Sequence, residues 1–98
     1  MRLRYTERAI ADLEEIQSYI AKDNPTAAQT VGARIKEAIE LLAEYSRLGR
    51  ASRIRGARVL LAAATPYAVY YGVSNRSAEI VILHVRHGRR TPPTRRDL

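Results

Sequence analysis

Two different periods of apolar residues follow each other in the N-terminal half of the chain. Between Met1 and Tyr5, Leu3 stands between Arg2 and Arg4, and this alternation predicts a short strand with one buried face. From Glu7 the period lengthens to three and four residues, which is typical of an amphipathic α-helix. The predicted buried stripe comprises Ile10, Leu13, Ile16, Tyr19 and Ile20, and the residues predicted to lie off it include Arg8, Asp12, Glu15 and Lys22.

A second amphipathic helix is predicted after a short polar break. Thr6 is suited to cap the first helix, and Asn24-Pro25 is suited to start the second, because proline needs no N–H in the first helical turn. Such a short connection makes the two helices antiparallel neighbours. Gly32 lies inside the second helix at a cost of roughly 1 kcal/mol relative to alanine, so we expect it to permit close helix packing. The second stripe comprises Ala28, Val31, Ile35, Ala38, Ile39 and Leu42.

The C-terminal half begins with a predicted basic loop, in which Gly49 and Gly56 accompany Arg47, Arg50, Arg53, Arg55 and Arg58. Beyond this loop it has the pattern of strands and turns. The apolar run 59–64, the alternating segment 67–73 and the β-branched run 79–86 are separated by Thr65-Pro66 and by a polar turn at 74–77. Three such strands with short connections predict an antiparallel meander. The fold class is therefore α+β, with an N-terminal strand, an antiparallel α-helical hairpin and a three-stranded antiparallel meander in one domain. We predict that this domain spans residues 1–90 and that residues 91–98 form a basic C-terminal tail.

Composition narrows the class of protein. The chain of 98 residues has no cysteine, so disulfides and thiolate metal sites are excluded. Its longest apolar run is too short to cross a membrane, and its N-terminus lacks the apolar segment of a signal peptide. We therefore expect a cytoplasmic protein without membrane contacts, and no motif in the sequence predicts a metal or another cofactor.

Charge is strongly segregated along the chain. Residues 1–46 contain six Lys/Arg and eight Asp/Glu, for a net charge of −2, whereas residues 47–98 contain eleven and two, for a net charge of +9. Such a half attracts phosphate backbones or acidic protein surfaces. A solubility surface with no binding role is the alternative interpretation. The predicted contact residues for a target or nucleic acid are Arg50, Arg53, Arg55, Arg58, Tyr70, Arg89 and Arg90.

The segment 84–90 contains both histidines of the chain. Cleavage of RNA through attack of a 2′-hydroxyl on the adjacent phosphate needs a base, an acid and cations. His87, at a strand end near Arg86, could form such a set with Arg50, Arg53, Arg55 or Arg58 of the opposite loop. Strand alternation places His84 on the face of Ile80 and Ile82, which predicts a hydrogen-bonded structural histidine. His87 lies on the opposite face, and either a catalytic or a packing role is compatible with it.

Four phrases of the sequence, taken together, carry a family resemblance. They are ADLEEIQSYIAKDNPTAA at 11–28, LLAEYSRLGR at 41–50, PYAVYYGV at 66–73 and EIVILHVRHGRR at 79–90. In this order they resemble the RelE/ParE superfamily of toxins from bacterial type II toxin–antitoxin modules. The resemblance covers most of the chain and implies a small basic toxin in a hetero-oligomer with a cognate antitoxin, whose C-terminal segment wraps over it and keeps it inactive.

The superfamily has two activities. RelE-like members are ribosome-dependent mRNA endoribonucleases, whereas ParE-like members inhibit DNA gyrase and are not nucleases. The nuclease pattern has arginines at places that correspond here to Ala68 and Val85, and His87 matches the C-terminal histidine of YoeB-like members. Arg86 adjoins Val85, but a one-residue shift turns a strand residue to the opposite face.

These features rank three hypotheses. The first is a growth-arresting toxin that inhibits DNA gyrase, since the helical-hairpin phrase with Asn24-Pro25 and the His87-Gly88 ending resemble the ParE-like branch. The second is a ribosome-dependent endoribonuclease that uses His87 and Arg86. The third is a degenerate toxin retained as a nucleic-acid-binding or protein-binding module.

Overall fold

The elements follow the predicted order, with one addition. A computed structural model describes residues 1–89 and, beyond them, Pro93, Thr94 and Arg96. Arg90 and most of the predicted tail at 91–98 lie outside the described residues. The strand β2 has only two residues and lies within the segment predicted as a basic loop. The elements are β1 Arg2–Tyr5, α1 Glu7–Ala21, α2 Pro25–Glu44, β2 Arg50–Ala51, β3 Arg58–Leu61, β4 Tyr67–Ser74 and β5 Glu79–His87.

All five strands belong to one sheet in the order β1-β5-β4-β3-β2. The predicted meander β3-β4-β5 is antiparallel, and β1 joins its far side in parallel with β5. Tyr5, the last residue of β1, pairs with Ile82, whereas β5 continues to His87. Within the described part of the chain, β5 beyond Ile82 therefore has a strand neighbour on one side only and an open edge on the other.

The register between β4 and β5 is interrupted next to this open edge. Tyr71 pairs with Ile82 and Tyr70 pairs with His84, so that Leu83 is an extra residue in a β-bulge. The bulge reverses the alternation of faces along the rest of β5. By register, His84 pairs with Tyr70 and does not continue the face of Ile82, so the predicted alternation is wrong at this residue. Its ring nevertheless reaches Asp12 of α1 at the open edge of β5.

The first helix starts where β1 ends. Thr6 caps it as predicted, since its Oγ1 accepts the N–H of Ala9 at 3.1 Å. The same hydroxyl lies 3.0 Å from the carbonyl oxygen of Ile82 and 3.1 Å from that of Leu83, so it also bonds to β5 at the bulge. The start of α1 is thus tied to the point where the sheet register changes.

The buried face of α1 is rotated from the predicted one. Ile10 and Tyr19 were predicted to be buried but are 48% and 72% exposed, whereas Asp12 was predicted off the buried stripe but is only 8% exposed. The helix packs on the sheet through Ala9, Leu13, Ile16 and Ile20, which lie beside Asp12. A carboxylate in this position needs hydrogen-bond partners, and β5 provides them.

The second helix conforms to its predicted stripe. Asn24 caps it by accepting the N–H of Ala27 at 3.0 Å, and Ile35, Ile39 and Leu42 lie in the core against the sheet. Gly32 accommodates a side chain of α1: a Cβ at this position would overlap the amide of Gln17, which donates to Ala28 O at 2.7 Å.

The strand predicted for the apolar run at 59–64 ends at Leu61, because Ala62 to Thr65 form the turn into β4 and Ala64 has a positive φ of 61°. None of the helices in the described residues is long and apolar enough to cross a membrane.

Candidate functional site: the cleft between α1 and β5

A cleft of about 800 Å³ lies between α1 and the C-terminal end of β5. We call it the α1–β5 cleft. One face of the helix forms one wall, and the strand forms the other wall together with the residues that precede β4. Its lining is mainly polar and contains more cations than carboxylates. The lining residues are Arg8, Asp12, Glu15, Ile16, Ser18, Tyr19, Lys22, Pro66, Tyr67, His84, Val85, Arg86, His87 and Arg89.

Asp12 joins the two walls of the cleft. Its Oδ2 accepts a hydrogen bond from the backbone N–H of Val85 at 3.0 Å and is also bonded to Nδ1 of His84. Its Oδ1 accepts from Nε of Arg8 at 3.2 Å. Both carboxylate oxygens therefore have donors, as a buried charge requires. The sequence did not identify Asp12 as a buried residue, because a charged side chain is expected to lie in solvent. The four-residue spacing between Asp12 and Ile16 was nevertheless compatible with the buried face.

His84 is the buried member of the pair, at 3% exposure. An ionised carboxylate only accepts hydrogen bonds, so Nδ1 of the ring carries a proton and donates it to Asp12. Nε2 is enclosed and has no hydrogen-bond partner among the described residues. His84 is thus buried and hydrogen-bonded, as predicted, and its ring is oriented by Asp12.

His87 lies at the mouth of the cleft and is half-buried. Its ring makes an edge-to-face contact with Tyr67, with centroids 5.6 Å apart and planes at 77°. Its Nδ1 accepts the backbone N–H of Arg89 at 3.2 Å, which leaves Nε2 as the position for a proton. The two histidines lie on opposite faces of the sheet by register, since Tyr67 is the partner of His87 and Tyr70 that of His84.

Arg86 is directly opposite Ala68 in the sheet. The bulge produces this pairing; a regular register would have put Val85 there. Val85 instead faces the helices with Val69 and is 3% exposed, and Ala68 is 7% exposed. Arg86 thus lies on the face opposite to Val85, as the one-residue shift implied, and the bulge makes that face the one of Ala68.

The arginines of the predicted basic loop lie at the other edge of the sheet. Arg50 belongs to β2, and Arg53 and Arg55 are exposed in the turn between β2 and β3. Strands β3 and β4 separate this turn from β5. The structure does not bring these three arginines together with His87.

Arg58 and Tyr71 hold the base of this loop. The guanidinium of Arg58 donates to the carbonyl oxygens of Arg47 and Gly49. The hydroxyl of the buried Tyr71 donates to Ser46 O and accepts from Gly49 N, both at 2.9 Å. Arg58 thus has a structural role in addition to its predicted contact role.

Tyr70 is half-buried on the sheet face that no helix covers in the described residues, with its ring 6.4 Å from that of His84. Arg89 is exposed at the end of β5.

Among the described residues no three His, Asp or Glu side chains are grouped as metal ligands. The α1–β5 cleft therefore presents hydrogen-bonding side chains and positive charge.

A second, apolar groove of about 460 Å³ lies between α1 and α2. Ile10, Leu13 and Ile35 line it, with Glu14 and Lys36 as charged lining residues and Tyr5 from the end of β1. Partial burial, and then the negative charge of Glu40, raise the pKa of the Tyr5 phenol above its ordinary value.

Comparison with known proteins gives concordant matches. The family model described as the ParE toxin of the type II toxin–antitoxin system parDE matches residues 3–92. Among curated proteins, Y4kP of Sinorhizobium fredii is 44% identical over 83 residues, covering 85% of this chain and 86% of its own. Toxin RelE2 of Caulobacter vibrioides is 37% identical over 86 residues, covering 88% and 93%. A solved structure of the chromosomal ParDE toxin–antitoxin system from P. aeruginosa is similar with a TM-score of 0.78 and 28% identity, covering 89% and 95%.

Proposed function

Because this chain belongs to the ParE toxin family of type II toxin–antitoxin systems, we propose that it arrests growth by inhibiting DNA gyrase and that a cognate antitoxin neutralises it. The toxin class follows from the family, and the target is the proposal. Names among the relatives include both ParE and RelE, so the choice of target depends on the residues of this chain.

One observation carries the choice of gyrase. The two places at which the nuclease branch has arginine hold Ala68 and Val85 here, and both are buried. Val85 lies in the apolar core, where a guanidinium would lose its hydration without a partner. This chain therefore lacks arginines at these two places to stabilise the charge on the phosphate during RNA cleavage, whereas binding to gyrase requires no proton transfer.

The proposed mode of inhibition is surface binding. Arg50, Arg53 and Arg55 are exposed on one edge of the sheet and Arg89 on the other, so each edge presents positive charge to an acidic protein or a DNA segment. Attraction of this kind accelerates association and weakens with salt.

The antitoxin proposal rests on the family and on the apolar groove. The related P. aeruginosa structure is of a toxin–antitoxin system. The groove between α1 and α2 and the exposed Ile10 beside it form an apolar surface that a partner segment can cover. Co-expression of the cognate antitoxin should restore growth, and the antitoxin should co-purify with the toxin.

Two assays on the purified protein test the target. We expect inhibition of supercoiling by purified gyrase, and no mRNA cleavage in ribosome-programmed extracts. Cleavage of mRNA with gyrase unaffected would reverse the assignment. Normal growth on induction, with soluble protein confirmed, would contradict toxicity itself.

The register of β5 favours a second candidate, the ribosome-dependent endoribonuclease. Arg86 lies directly opposite Ala68, so one arginine faces the region where the nuclease branch has its own. Nε2 of His87 is the proton position at the mouth of the cleft. If this activity operates, His87→Ala should abolish toxicity; unchanged toxicity in that variant excludes proton transfer by His87.

A further inference from the structure

We infer that Asp12 is a positioning residue: its carboxylate fixes the register of β5 beyond Ile82 and so determines the sheet faces on which Arg86 and His87 are presented. The inference concerns the fold of the site and does not depend on the choice between gyrase and mRNA.

The bulge changes which backbone groups of β5 have partners within the sheet. An extra residue in one strand leaves ladder groups without their regular partners, and a buried N–H without an acceptor is destabilising. β1 ends opposite Ile82, so β1 has no residue to pair with Val85. Asp12 Oδ2 accepts the N–H of Val85 and takes the place that a neighbouring strand would have had.

The position of α1 brings the helix into contact with β5 at two points. Thr6 anchors the start of the helix to the carbonyls of Ile82, the last residue before the bulge, and of Leu83, the extra residue itself. Two helical turns later Asp12 meets Val85 and His84. The helix therefore bonds to β5 both before and after the bulge, and it can hold the extra residue in place.

A register of β4 with β5 that lacked the bulge would present different side chains on each face of the sheet. If pairing continued from Tyr71–Ile82 without a bulge, Ala68 would pair with Val85, and Arg86 would pair with Tyr67 on the face that packs against the helices. In the observed register, Arg86 pairs with Ala68 and His87 with Tyr67. A slip by one residue thus exchanges the faces of Arg86 and His87. It would also remove the Val85 and His84 donors from the buried Asp12.

Engineered disulfides report the register directly, because the natural chain has no cysteine. Directly opposed residues bring their Cβ atoms within disulfide distance, whereas residues on opposite faces point apart. The pair Ala68→Cys/Arg86→Cys should therefore form a disulfide, and the pair Ala68→Cys/Val85→Cys should not. We expect a preference of about tenfold or more for the first pair in air-oxidised protein.

The same two pairs are then compared in Asp12→Ala and Asp12→Asn backgrounds. Asp12→Ala should reverse the preference towards the 68–85 pair. Asp12→Asn keeps an oxygen acceptor and should restore the 68–86 pair, which a general loss of stability would not do. Retention of the 68–86 preference in Asp12→Ala overturns the inference, and so does an Asn variant that behaves as the Ala variant. Glu15→Ala, an exposed carboxylate on the same helix, is the matched control and should leave the preference unchanged.

A measurement on the unaltered protein decides the matter if Asp12→Ala does not fold. Native-state amide exchange should show Val85, at an open sheet edge, as protected as the core amide of Tyr71. Exchange of Val85 as fast as that of the exposed Arg89 overturns the inference, since Asp12 would then not hold the bulge.

Discussion

The carboxylate of Asp12 in α1 is bonded to Nδ1 of His84 in β5, next to the point where the sheet register changes. The two residues are 72 positions apart in the sequence, and both are buried. The pair therefore connects the helical hairpin to the strand whose end lines the α1–β5 cleft. Its loss should affect both the stability of the fold and the geometry of that cleft.

We expect Asp12→Ala to lower the free energy of unfolding by about 3 kcal/mol, because it leaves the Val85 amide and a buried histidine without their acceptor. His84→Ala should also be destabilising, because it removes a buried ring and one donor of the carboxylate. Urea denaturation of both single variants and the double variant measures the coupling, which we expect to be about 1–3 kcal/mol.

The control for this cycle is the ion pair of Arg8 with Asp12. The Arg8 side chain is half exposed, so Arg8→Ala should cost less than about 1 kcal/mol. Additive effects of Asp12→Ala and His84→Ala would show that the contact contributes nothing beyond the two separate burials.

The sequence predicted the elements because their signals are local. Periodicity located both helices and the three long strands, and Thr6 and Asn24 cap the helices as predicted. β2 was not predicted, since it has only two residues and exists through its pairing with Val59. Nothing in its own composition distinguishes it from the loop.

The site was predicted less well, for a physical reason. The bulge at Leu83 arises from how β4 and β5 pair, and no turn residue or glycine at that point signals it. Without the bulge, alternation gives the wrong faces for His84 and Arg86. Asp12 was predicted to lie in solvent. The hydrogen-bond donors that make a buried carboxylate favourable at this position come from the open edge of β5, which is distant in the sequence.

The base of the basic loop provides a second prediction. Tyr71→Phe removes a buried hydroxyl that bonds to Ser46 and Gly49, and we expect a loss of about 1–3 kcal/mol in the free energy of unfolding. Limited proteolysis should also cut faster near Arg47 and Arg50. Tyr45→Phe, at an exposed tyrosine close by, is the control and should change neither quantity.

Gly49 should tolerate no side chain. A Cβ there would lie 2.6 Å from the carbonyl oxygen of Val59 and 2.8 Å from the ring of Tyr71. We expect Gly49→Ala to cost about 1–3 kcal/mol in thermal or urea unfolding, because backbone and a buried ring must shift. Stability equal to that of the natural protein would contradict the close packing of this loop on β3 and β4.

The effect of replacing Gly32 on the free energy of unfolding should depend on whether Gln17 is present. In Gly32→Ala the helix gains about 1 kcal/mol in propensity, but the Gln17 side chain must move and give up its bond to Ala28, which costs a similar amount. The single variant should thus be nearly neutral. In a Gln17→Ala background the same change should be stabilising by up to about 1 kcal/mol; an equal effect in both backgrounds would contradict the coupling.

Tyr5 should make stability depend on pH in the alkaline range. Its pKa is raised above the ordinary value of 10.0 by burial and then by Glu40, so folding favours the neutral phenol. Below pH 10 both folded and unfolded states are protonated and the contribution is constant; above it the unfolded state loses its proton first, so stability falls as pH rises. Comparison with Tyr5→Phe isolates the effect, and Glu40→Gln should lower the pKa of Tyr5 only in part, because burial is the larger cause.

The exposed arginines of β2 and of the β2–β3 turn should contribute to target binding through charge. We expect replacement of Arg50, Arg53 and Arg55 by glutamine to weaken gyrase inhibition by about tenfold at low salt, because long-range attraction accelerates association. The difference from the natural protein should shrink as salt rises, since screening removes the same attraction. Arg76→Gln is the matched control, because Arg76 is an exposed arginine in the turn between β4 and β5. A loss of inhibition that is independent of salt would indicate instead that the arginines make direct contacts, and an unchanged inhibition would place the binding surface elsewhere on the toxin.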